Sequence, residues 1–490
     1  MPSEAAPTGV VFPEVDGKRS TSATGRSVVA DALQPVDPVG AAAALRETNW
    51  RSGYLTHFRR LVEAGLASPS DAVAVADAGL ASVHDRMRWR DPDGRECLLS
   101  AALGGVVGSP ADLLTTEVHG GQGEPDTALT IPYHGRRLAG DDLRRRLDAW
   151  VADGVVEPTL RDAVGAVLDN PDWLRLEGRT VVVLGAAAEM GPLRSLLRWG
   201  ATVAAVDLPR PDVWSRLLAD ARGSAGRVLV PAAPGSSPLA DRAGVDLVHD
   251  LPTATGWVCG LEGSLVLGNY VYADGATNVR VSTAVDAMTR IVRLARPDTA
   301  LSFLATPTDV FAVPGEVVDA STRAYAERRT SKLLRVPLRT LSGGRLLRRN
   351  YVPGEAPGIN DSVVLQQGPN YLLAKRIQRW RATSARAQGA TVSFKIAPPT
   401  RTRSVVKNRA LAAAYAGAHR FGVEVFEPGT ANTLMAALLV HDLVVGSPAQ
   451  EHPWQDEAYA AAHGGLWRAA YDPRSALGLA ALLGAASARP

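Results

Sequence analysis

The chain has 490 residues, of which 46% are hydrophobic and 21% charged, with a net charge of +3 at pH 7. This length suits two or three domains, and the composition is that of a globular enzyme rather than a disordered or fibrous chain. The near-neutral charge does not favour nucleic acid, the two distant cysteines lack disulfide or metal spacing, and no apolar run has the length of a membrane span. We therefore expect a cytoplasmic protein with no metal, nucleic-acid or membrane partner.

The chain is expected to begin and end with segments outside the main fold. Residues 1–38 are polar and contain prolines, which indicates a flexible N-terminal segment. Residues 39–175 show helical apolar spacing and predict a mainly helical accessory domain, in which His119 and His134 are interpreted as loop residues. Residues 446–490 are expected to form a C-terminal helical extension.

Residues 176–445 carry the pattern of an α/β domain. Six apolar runs predict strands that alternate with helices, and they read TVVVLG, ATVAAVDL, RVLVPA, VDLVHD, SLVLGNYVYAD and TALSFLATPTD. Continuous apolar runs are typical of strands buried on both faces, and their alternation with helices predicts a doubly wound parallel sheet. A basic insertion at about 310–361 interrupts this domain, and we expect it to cover the cleft as a lid.

The first of these strands leads into a candidate nucleotide-binding turn. Gly185 closes the strand, Gly191 opens the following helix, and Asp207 ends the second strand. Glycines let a pyrophosphate approach backbone amides, and an acid at this distance binds ribose hydroxyls. Glu189 stands where glycine is common, and a carboxylate there is unfavourable beside a pyrophosphate unless it turns away or holds a ribose. The alternative is a tight strand–helix turn that binds no ligand.

A second candidate site lies near residue 370. Tyr371 and Lys375 stand four residues apart in a helical run, so both side chains share one face. A neighbouring lysine favours the phenolate form of tyrosine, which enables proton exchange with a substrate oxygen. Since unrelated pairs at this spacing are common, the alternative is a packed tyrosine beside a solvated lysine.

Taken in order, these residues resemble an enlarged member of the short-chain dehydrogenase/reductase superfamily, over residues 178 to about 442. The resemblance implies a Rossmann-like sheet, a Tyr371/Lys375 catalytic pair and a cofactor turn that includes Gly185, Ala186, Glu189, Met190 and Gly191. It further implies that Asp207 binds ribose, that Asp250 contacts the adenine edge and that Asn269 is the family asparagine. By the same resemblance, Thr306 or Thr308 supplies the family serine's hydroxyl, and the loop from Pro398 to Thr402 touches the nicotinamide.

The sequence departs from this family in two places. Thr306 and Thr308 precede Tyr371 by more than 60 residues, whereas the family serine lies about a dozen residues before the tyrosine, and Ser362 is a rival that is also poorly spaced. Pro399 replaces a glycine that is frequent in the nicotinamide loop. An S-adenosylmethionine-dependent methyltransferase and a non-catalytic nucleotide-binding protein therefore remain as alternatives.

The expected enzyme is a homo-oligomeric oxidoreductase that uses NAD, with NADP second, on a small-molecule carbonyl or hydroxyl substrate. Positive charge is concentrated from Arg323 to Arg349 and from Tyr371 to Arg409. This concentration favours an anionic or carrier-linked substrate, and solvated helix faces are the alternative.

Overall fold

The structure is a computed structural model that describes residues 8–107, 112–121, 123–327 and 329–486, without the side chains of 328–334. It is an α/β protein around a seven-stranded, mostly parallel sheet. Within the described residues, no helix is both long enough and apolar enough to cross a bilayer.

The strands are β1 (Gly9–Val11), β2 (Glu14–Val15), β3 (Lys18–Arg19), β4 (Arg88–Arg90), β5 (Glu96–Leu98), β6 (Leu114–His119), β7 (Ile131–Tyr133), β8 (Arg136–Leu138), β9 (Arg179–Leu184), β10 (Thr202–Val206), β11 (Arg227–Ala232), β12 (Ser264–Asn269), β13 (Ala300–Ala305), β14 (Val310–Val313), β15 (Gly358–Asp361) and β16 (Val392–Ile396).

The helices are α1 (Thr21–Leu33), α2 (Pro38–Arg46), α3 (Trp50–Gly65), α4 (Pro69–Arg86), α5 (Leu99–Ala102), α6 (Gly140–Ala152), α7 (Pro158–Asp169), α8 (Leu193–Arg198), α9 (Pro211–Arg222), α10 (Leu239–Arg242), α11 (Leu251–Cys259), α12 (Ala276–Ala295), α13 (Gly315–Glu327), α14 (Arg329–Leu341), α15 (Gly368–Ala387), α16 (Arg403–Lys407), α17 (Arg409–Gly417), α18 (Pro428–Val444), α19 (Pro453–Ala458) and α20 (Pro473–Gly484).

The central sheet has the strand order β16-β13-β12-β9-β10-β11-β6. All neighbouring pairs are parallel except β11 with β6, which is antiparallel. The register sets Leu184 of β9 opposite both Val206 of β10 and Asn269 of β12. The carboxyl ends of these three strands are therefore level, and the turns that follow them meet at one edge.

Successive side chains along the strands pack alternately into two separate hydrophobic cores. On β9, Val182 and Leu184 enter one core with α1–α4, α11, α12 and α15, whereas Val181 and Val183 enter the other with α6–α9 and α18. Because both faces are covered by helices, the strands are apolar at nearly every position, which is the pattern that predicted them. The result is three layers, with helices on each side of the sheet.

The N-terminal region contains more regular structure than its sequence suggested. Residues 1–7 of the predicted flexible segment lie outside the described residues, but β1 pairs with β4 and α1 is capped by Ser20. Arg280 of α12 also donates a hydrogen bond to the Val10 carbonyl. The polar composition of 1–38 therefore gave the wrong expectation for residues 8–38, because tertiary contacts hold this segment against the main core.

Residues 39–175 are helical for the most part but also extend the sheet. β6 adds an antiparallel edge strand to β11 and ends at His119, which was interpreted as a loop residue. His134 does lie in a turn, between β7 and β8, with φ 46°. The helices of this region contribute to both cores, so they form part of the same packed body as the sheet.

One predicted strand of the central region is a loop in the structure, and the predicted insertion contains regular structure. The VDLVHD run, predicted as a strand, is a loop whose Val245 amide donates to the Asp207 carbonyl at 2.9 Å. Its apolar residues are buried under the N-terminal strand rather than in the sheet, which explains the false strand signal. The stretch at 310–361 forms β14, α13, α14 and β15, between β13 and α15.

Candidate functional site

A crevice is expected at the carboxyl edge of the sheet, between β9 and β12. The chain leaves β9 in one direction for β10 and β11, then returns past β9 to build β12, β13 and β16 on the other side. Connections diverge at such a reversal, and open α/β sheets commonly bind ligands there. Gly185 follows β9 and Asn269 ends β12, so two of the predicted cofactor residues lie at this point.

The turn after β9 requires glycine at its first position. Gly185 has φ +83°, and a Cβ there would lie 3.0 Å from the Tyr270 carbonyl oxygen. Most amides of the turn donate within the protein, namely those of Gly185 and Ala186 to Val206, Ala187 to Asp207, Ala188 to Gly185 and Gly191 to Ala188. Within 185–191, a stretch described in full, the amides of Glu189 and Met190 have no described acceptor. A phosphate would find its backbone donors there.

Asp207 lies beside this turn, as the sequence predicted. One carboxylate oxygen accepts from the Ala187 amide at 2.7 Å and the other from the Leu208 amide at 2.9 Å. Burial raises the pKa of Asp207, and the two amides partly offset this effect. Each carboxylate oxygen has two lone pairs, so Asp207 can brace the turn and still accept a hydroxyl.

Glu189 contacts the helix that follows β16. Its carboxylate accepts from the Arg403 backbone amide at 2.9 Å and from Arg403 Nε at 2.8 Å. The Glu189 carbonyl accepts from Asn432 Nδ2 at 3.1 Å. The carboxylate that looked unfavourable for an anion is therefore paired with Arg403.

A cavity of about 330 Å³ borders the same turn. Ala186 to Glu189 line one side, α9 lines another, and Arg403 and Asn432 complete it. This volume is at the lower end of the range for small-ligand pockets. Three arginines at its rim are each paired with an acid: Arg194 with Asp220, Arg216 with Asp212 and Arg403 with Glu189.

Tyr371 lies in the first turn of α15, close to the end of β13. The Tyr272 ring lies edge-on to the Tyr371 ring, with the two centroids 6.2 Å apart, and the Thr306 hydroxyl lies near the phenol. Burial raises the pKa of Tyr371, Tyr415 and Tyr272 raise it further, and the nearby Thr306 hydroxyl lowers it. The structure thus brings the predicted tyrosine to one of the two predicted threonines, although the intervening chain is more than 60 residues long.

Lys375 lies one turn further along α15 and is bonded toward the sheet. Its Nζ donates to the Leu304 carbonyl of β13 and to Gln378 Oε1, both at 3.2 Å. Gln378 Nε2 in turn donates to Asn269 Oδ1 at 3.4 Å, which links Lys375 to the end of β12. Burial lowers the pKa of Lys375 to about 8, against the opposing charge of Asp309. The ammonium therefore loses its proton more readily than an exposed lysine does.

The other predicted residues are spread around the same edge. Asp250 is exposed and precedes α11, and its carboxylate accepts from the Asp246 amide at 3.3 Å. The Pro398 carbonyl accepts from the Thr400 hydroxyl at 2.8 Å, and Thr402 precedes α16 with its hydroxyl 2.9 Å from that of Ser404. The loop that contains both residues follows β16.

Ser362, the rival for the serine position, is buried and donates to Asn360 Oδ1 at 2.5 Å. This bond directs its hydroxyl along the strand that precedes α15. Thr306 rather than Ser362 is the hydroxyl that lowers the pKa of Tyr371.

Most positive charge on α15 has a structural partner. Its arginines form ion pairs with acids of other elements: Arg376 and Arg379 with Asp309, Arg379 with Glu457, Arg381 with Asp286 and Arg386 with Asp456. These pairs account for much of the basic run from Tyr371 to Arg409. The case for an anionic substrate now rests on the residues after β16, such as Arg401 and Arg403, which are exposed.

The basic insertion also holds some of its own charge. The guanidinium groups of Arg335 and Arg349 lie 4.0 and 4.5 Å from the Tyr325 ring centroid, and Arg339 donates to its hydroxyl at 3.0 Å. Tyr325 packs against Tyr471 near α20. At these three positions the positive charge serves packing between the insertion and the C-terminal region.

Three residues at the site were not predicted. Gln378 lies three residues after Lys375 on the same helical face, so its spacing could have revealed it. Tyr272 lies three residues after the end of β12, within the SLVLGNYVYAD run that was predicted as a strand. Gln367 precedes α15 and donates to the Thr308 hydroxyl at 2.7 Å, a contact between segments that no local pattern encodes.

In comparisons with known proteins, no family model and no curated protein matches this chain. Its function must therefore be inferred from its residues and their geometry.

Proposed function

We propose that this protein is an NAD(P)-dependent oxidoreductase, similar to short-chain dehydrogenases/reductases, that reduces a carbonyl group or oxidises a hydroxyl group. One observation carries the proposal. Two groups of side chains lie at the carboxyl edge of the sheet, beside the reversal between β9 and β12. They are Tyr371 with Thr306, and Lys375 with Gln378 and Asn269. These groups come from three separate parts of the chain, which a chance Tyr/Lys spacing would not bring together.

The strand order supports a Rossmann-like fold for the nucleotide-binding region. Numbered along the chain, the six parallel strands from β9 to β16 that belong to the central sheet have the order 3-2-1-4-5-6 expected of dinucleotide-binding sheets. β6 is an addition at the outer edge and leaves the reversal point unchanged.

The residues at this edge fit a dinucleotide. Asp207 would accept ribose hydroxyls, the Glu189 and Met190 amides would face the phosphates, and Lys375 would hold the second ribose. Arg403 could leave Glu189 and pair with a phosphate, at the small cost of an exposed ion pair. Since a carboxylate repels a ribose 2′-phosphate, we expect NAD to bind more tightly than NADP.

The bound nicotinamide would exchange a hydride with the substrate carbon. Tyr371 would donate its phenolic proton to the substrate oxygen during reduction and take it back during oxidation. Thr306 would orient the same oxygen by a hydrogen bond. The Lys375 ammonium would stabilise negative charge on the phenol and the nearby ribose.

A non-catalytic nucleotide-binding protein is the second candidate. It is favoured by the turn after β9, where most amides are already bonded within the protein. Such a protein would bind a nucleotide without depending on the Tyr371 hydroxyl.

Calorimetric titration of the full chain with NAD, NADP and S-adenosylmethionine tests the proposal. We expect NAD to bind, NADP to bind about tenfold more weakly, which corresponds to about 1.4 kcal/mol, and S-adenosylmethionine not to bind. Asp207→Asn should reduce the preference for NAD, whereas Asp298→Asn, an exposed control, should not. Binding of S-adenosylmethionine alone would favour a methyltransferase, and binding of none of the three would end the proposal.

A further inference from the structure

Tyr272 is an exposed aromatic side chain at the candidate site. Of the phenylalanine, tyrosine and tryptophan side chains in the described residues, it alone is exposed, at 53%. Its ring lies edge-on to that of Tyr371, with the centroids 6.2 Å apart and the ring planes at 66°. Much of a large apolar ring is therefore open to solvent beside the tyrosine that would contact the substrate.

The loop that carries Tyr272 is fixed by hydrogen bonds from both its backbone and its side chains. The Ala273 amide donates to Oδ1 of the buried Asn278 at 3.2 Å, which ties the loop to the first turn of α12. The Tyr272 hydroxyl donates to Asp274 Oδ1 at 2.8 Å. The ring is therefore kept in its exposed position by the structure around it.

The position of Tyr272 favours a role in ligand binding. A single exposed apolar side chain is ordinary on a protein surface. Tyr272, however, lies three residues after the end of β12, at the reversal where open α/β sheets commonly bind ligands. Tyr371 beside it is itself partly exposed, so the site opens to solvent at this point. Fixing the Tyr272 ring here also costs rotamer freedom, which contact with a ligand would offset.

We propose that Tyr272 is a specificity-determining residue whose ring packs against an aromatic ring attached to the substrate carbonyl. The substrates would then be aryl ketones or aldehydes, or the corresponding benzylic alcohols. This inference rests on the proposed function, because it takes the Tyr371 hydroxyl as the group that contacts the substrate oxygen.

The geometry of the two tyrosines leads to this substrate class. With the substrate oxygen at the Tyr371 hydroxyl, the groups attached to the carbonyl carbon lie close to the neighbours of the Tyr371 ring. Tyr272 is such a neighbour, and its uncovered surface is aromatic. A flat aromatic ring can stack on it or meet it edge-to-face, and such pairs are more favourable than burial of the same area alone. A saturated ring or chain gains only the burial.

Ligand-observed NMR titrations of the full chain with acetophenone and cyclohexyl methyl ketone, with and without NADH, test this proposal. The two ketones are similar in size and differ in whether the ring is aromatic. We expect the wild type to bind acetophenone about fivefold more tightly, which is the effect of one aromatic pair. Tyr272→Leu should abolish this preference, whereas Tyr272→Phe keeps the ring and should retain most of it. Because Tyr272 is exposed, neither variant should change the melting temperature appreciably.

Three results would overturn the proposal: equal binding of the two ketones by the wild type, binding of neither ketone, and an unchanged preference in Tyr272→Leu. A loss of NADH affinity in Tyr272→Leu without a change in ketone preference would also overturn it, because the ring would then contact the nicotinamide.

NADH binding and consumption, measured on the same samples, separate this inference from the proposed function. A preference for acetophenone that depends on Tyr272, without NADH binding, would support the aromatic contact and remove the oxidoreductase. Reduction of both ketones by NADH without the preference would remove only the aromatic contact.

Discussion

Replacing Lys375 with methionine should change the pH dependence of stability in a defined way. Burial lowers the pKa of Lys375 from an ordinary value of 10.5 to about 8. At about 1.4 kcal/mol per unit, the folded state pays about 3 kcal/mol for a charged Lys375 at neutral pH. The unfolded chain binds the proton more tightly, so this penalty is complete below about pH 8 and disappears as the pH rises through 10.5.

Lys375→Met removes both the penalty and the hydrogen bonds to Leu304 and Gln378, each of which stabilises by about 1 kcal/mol. We therefore expect the variant to be about 1 kcal/mol more stable than the wild type at about pH 7. This advantage should fall by about 2 kcal/mol by about pH 9.5, so that the order of stability reverses.

Urea unfolding of both proteins at the two pH values measures this change. The exposed Lys407→Met variant is the control and should differ from the wild type by a constant amount. A difference between Lys375→Met and the wild type that does not vary with pH would refute the claim that Lys375 has a lowered pKa in the folded protein.

Three further predictions concern the turn after β9 and the second buried lysine. Gly185→Ala forces a side chain into a left-handed conformation against a carbonyl and should lower the free energy of unfolding by about 1–3 kcal/mol; an unchanged melting temperature would contradict it. Glu189→Gln releases Arg403 and should tighten NAD binding severalfold by calorimetry; weaker binding would show that Glu189 itself holds the cofactor. Lys395 of β16 pairs with the buried Asp442 at 3.0 Å, and Lys395→Met leaves that carboxylate only its bonds to Ser393 and His441. The variant should cost about 3 kcal/mol in urea unfolding, which an added Asp442→Leu should largely restore; a cost below about 1 kcal/mol would contradict the importance of this pair.

The central sheet was predictable because its strands are buried on both faces. TVVVLG and ATVAAVDL need apolar side chains at nearly every position, and this requirement is visible in a single sequence. VDLVHD has the same composition but is covered by the N-terminal strand, so local hydrophobicity could not distinguish a buried loop from a strand. The edge strand β6 was missed because four of its six residues are exposed. Its polar and apolar residues also do not alternate strictly, so the sequence lacks the pattern of a strand.

The candidate site was predictable where helical spacing or strand ends determine position. Tyr371 and Lys375 share a helical face, and Thr306 follows a buried strand directly, so their approach could be inferred. Gln367 could not be assigned, because its role depends on how the chain returns from the insertion to the end of β13. The partner of Glu189 was hidden for the same reason, since Arg403 is more than 200 residues away.

NADH consumption by the purified chain over a panel of aldehydes and ketones, measured for the wild type and Tyr371→Phe, tests whether Tyr371 is the catalytic acid and base. The phenylalanine keeps the packing of the ring and removes only the proton-transferring hydroxyl. We predict that the wild type turns over at least one compound and that Tyr371→Phe lowers this turnover by about 10²–10⁴-fold with NADH affinity retained. Equal turnover by the two proteins would contradict the assignment of Tyr371 as the catalytic acid and base.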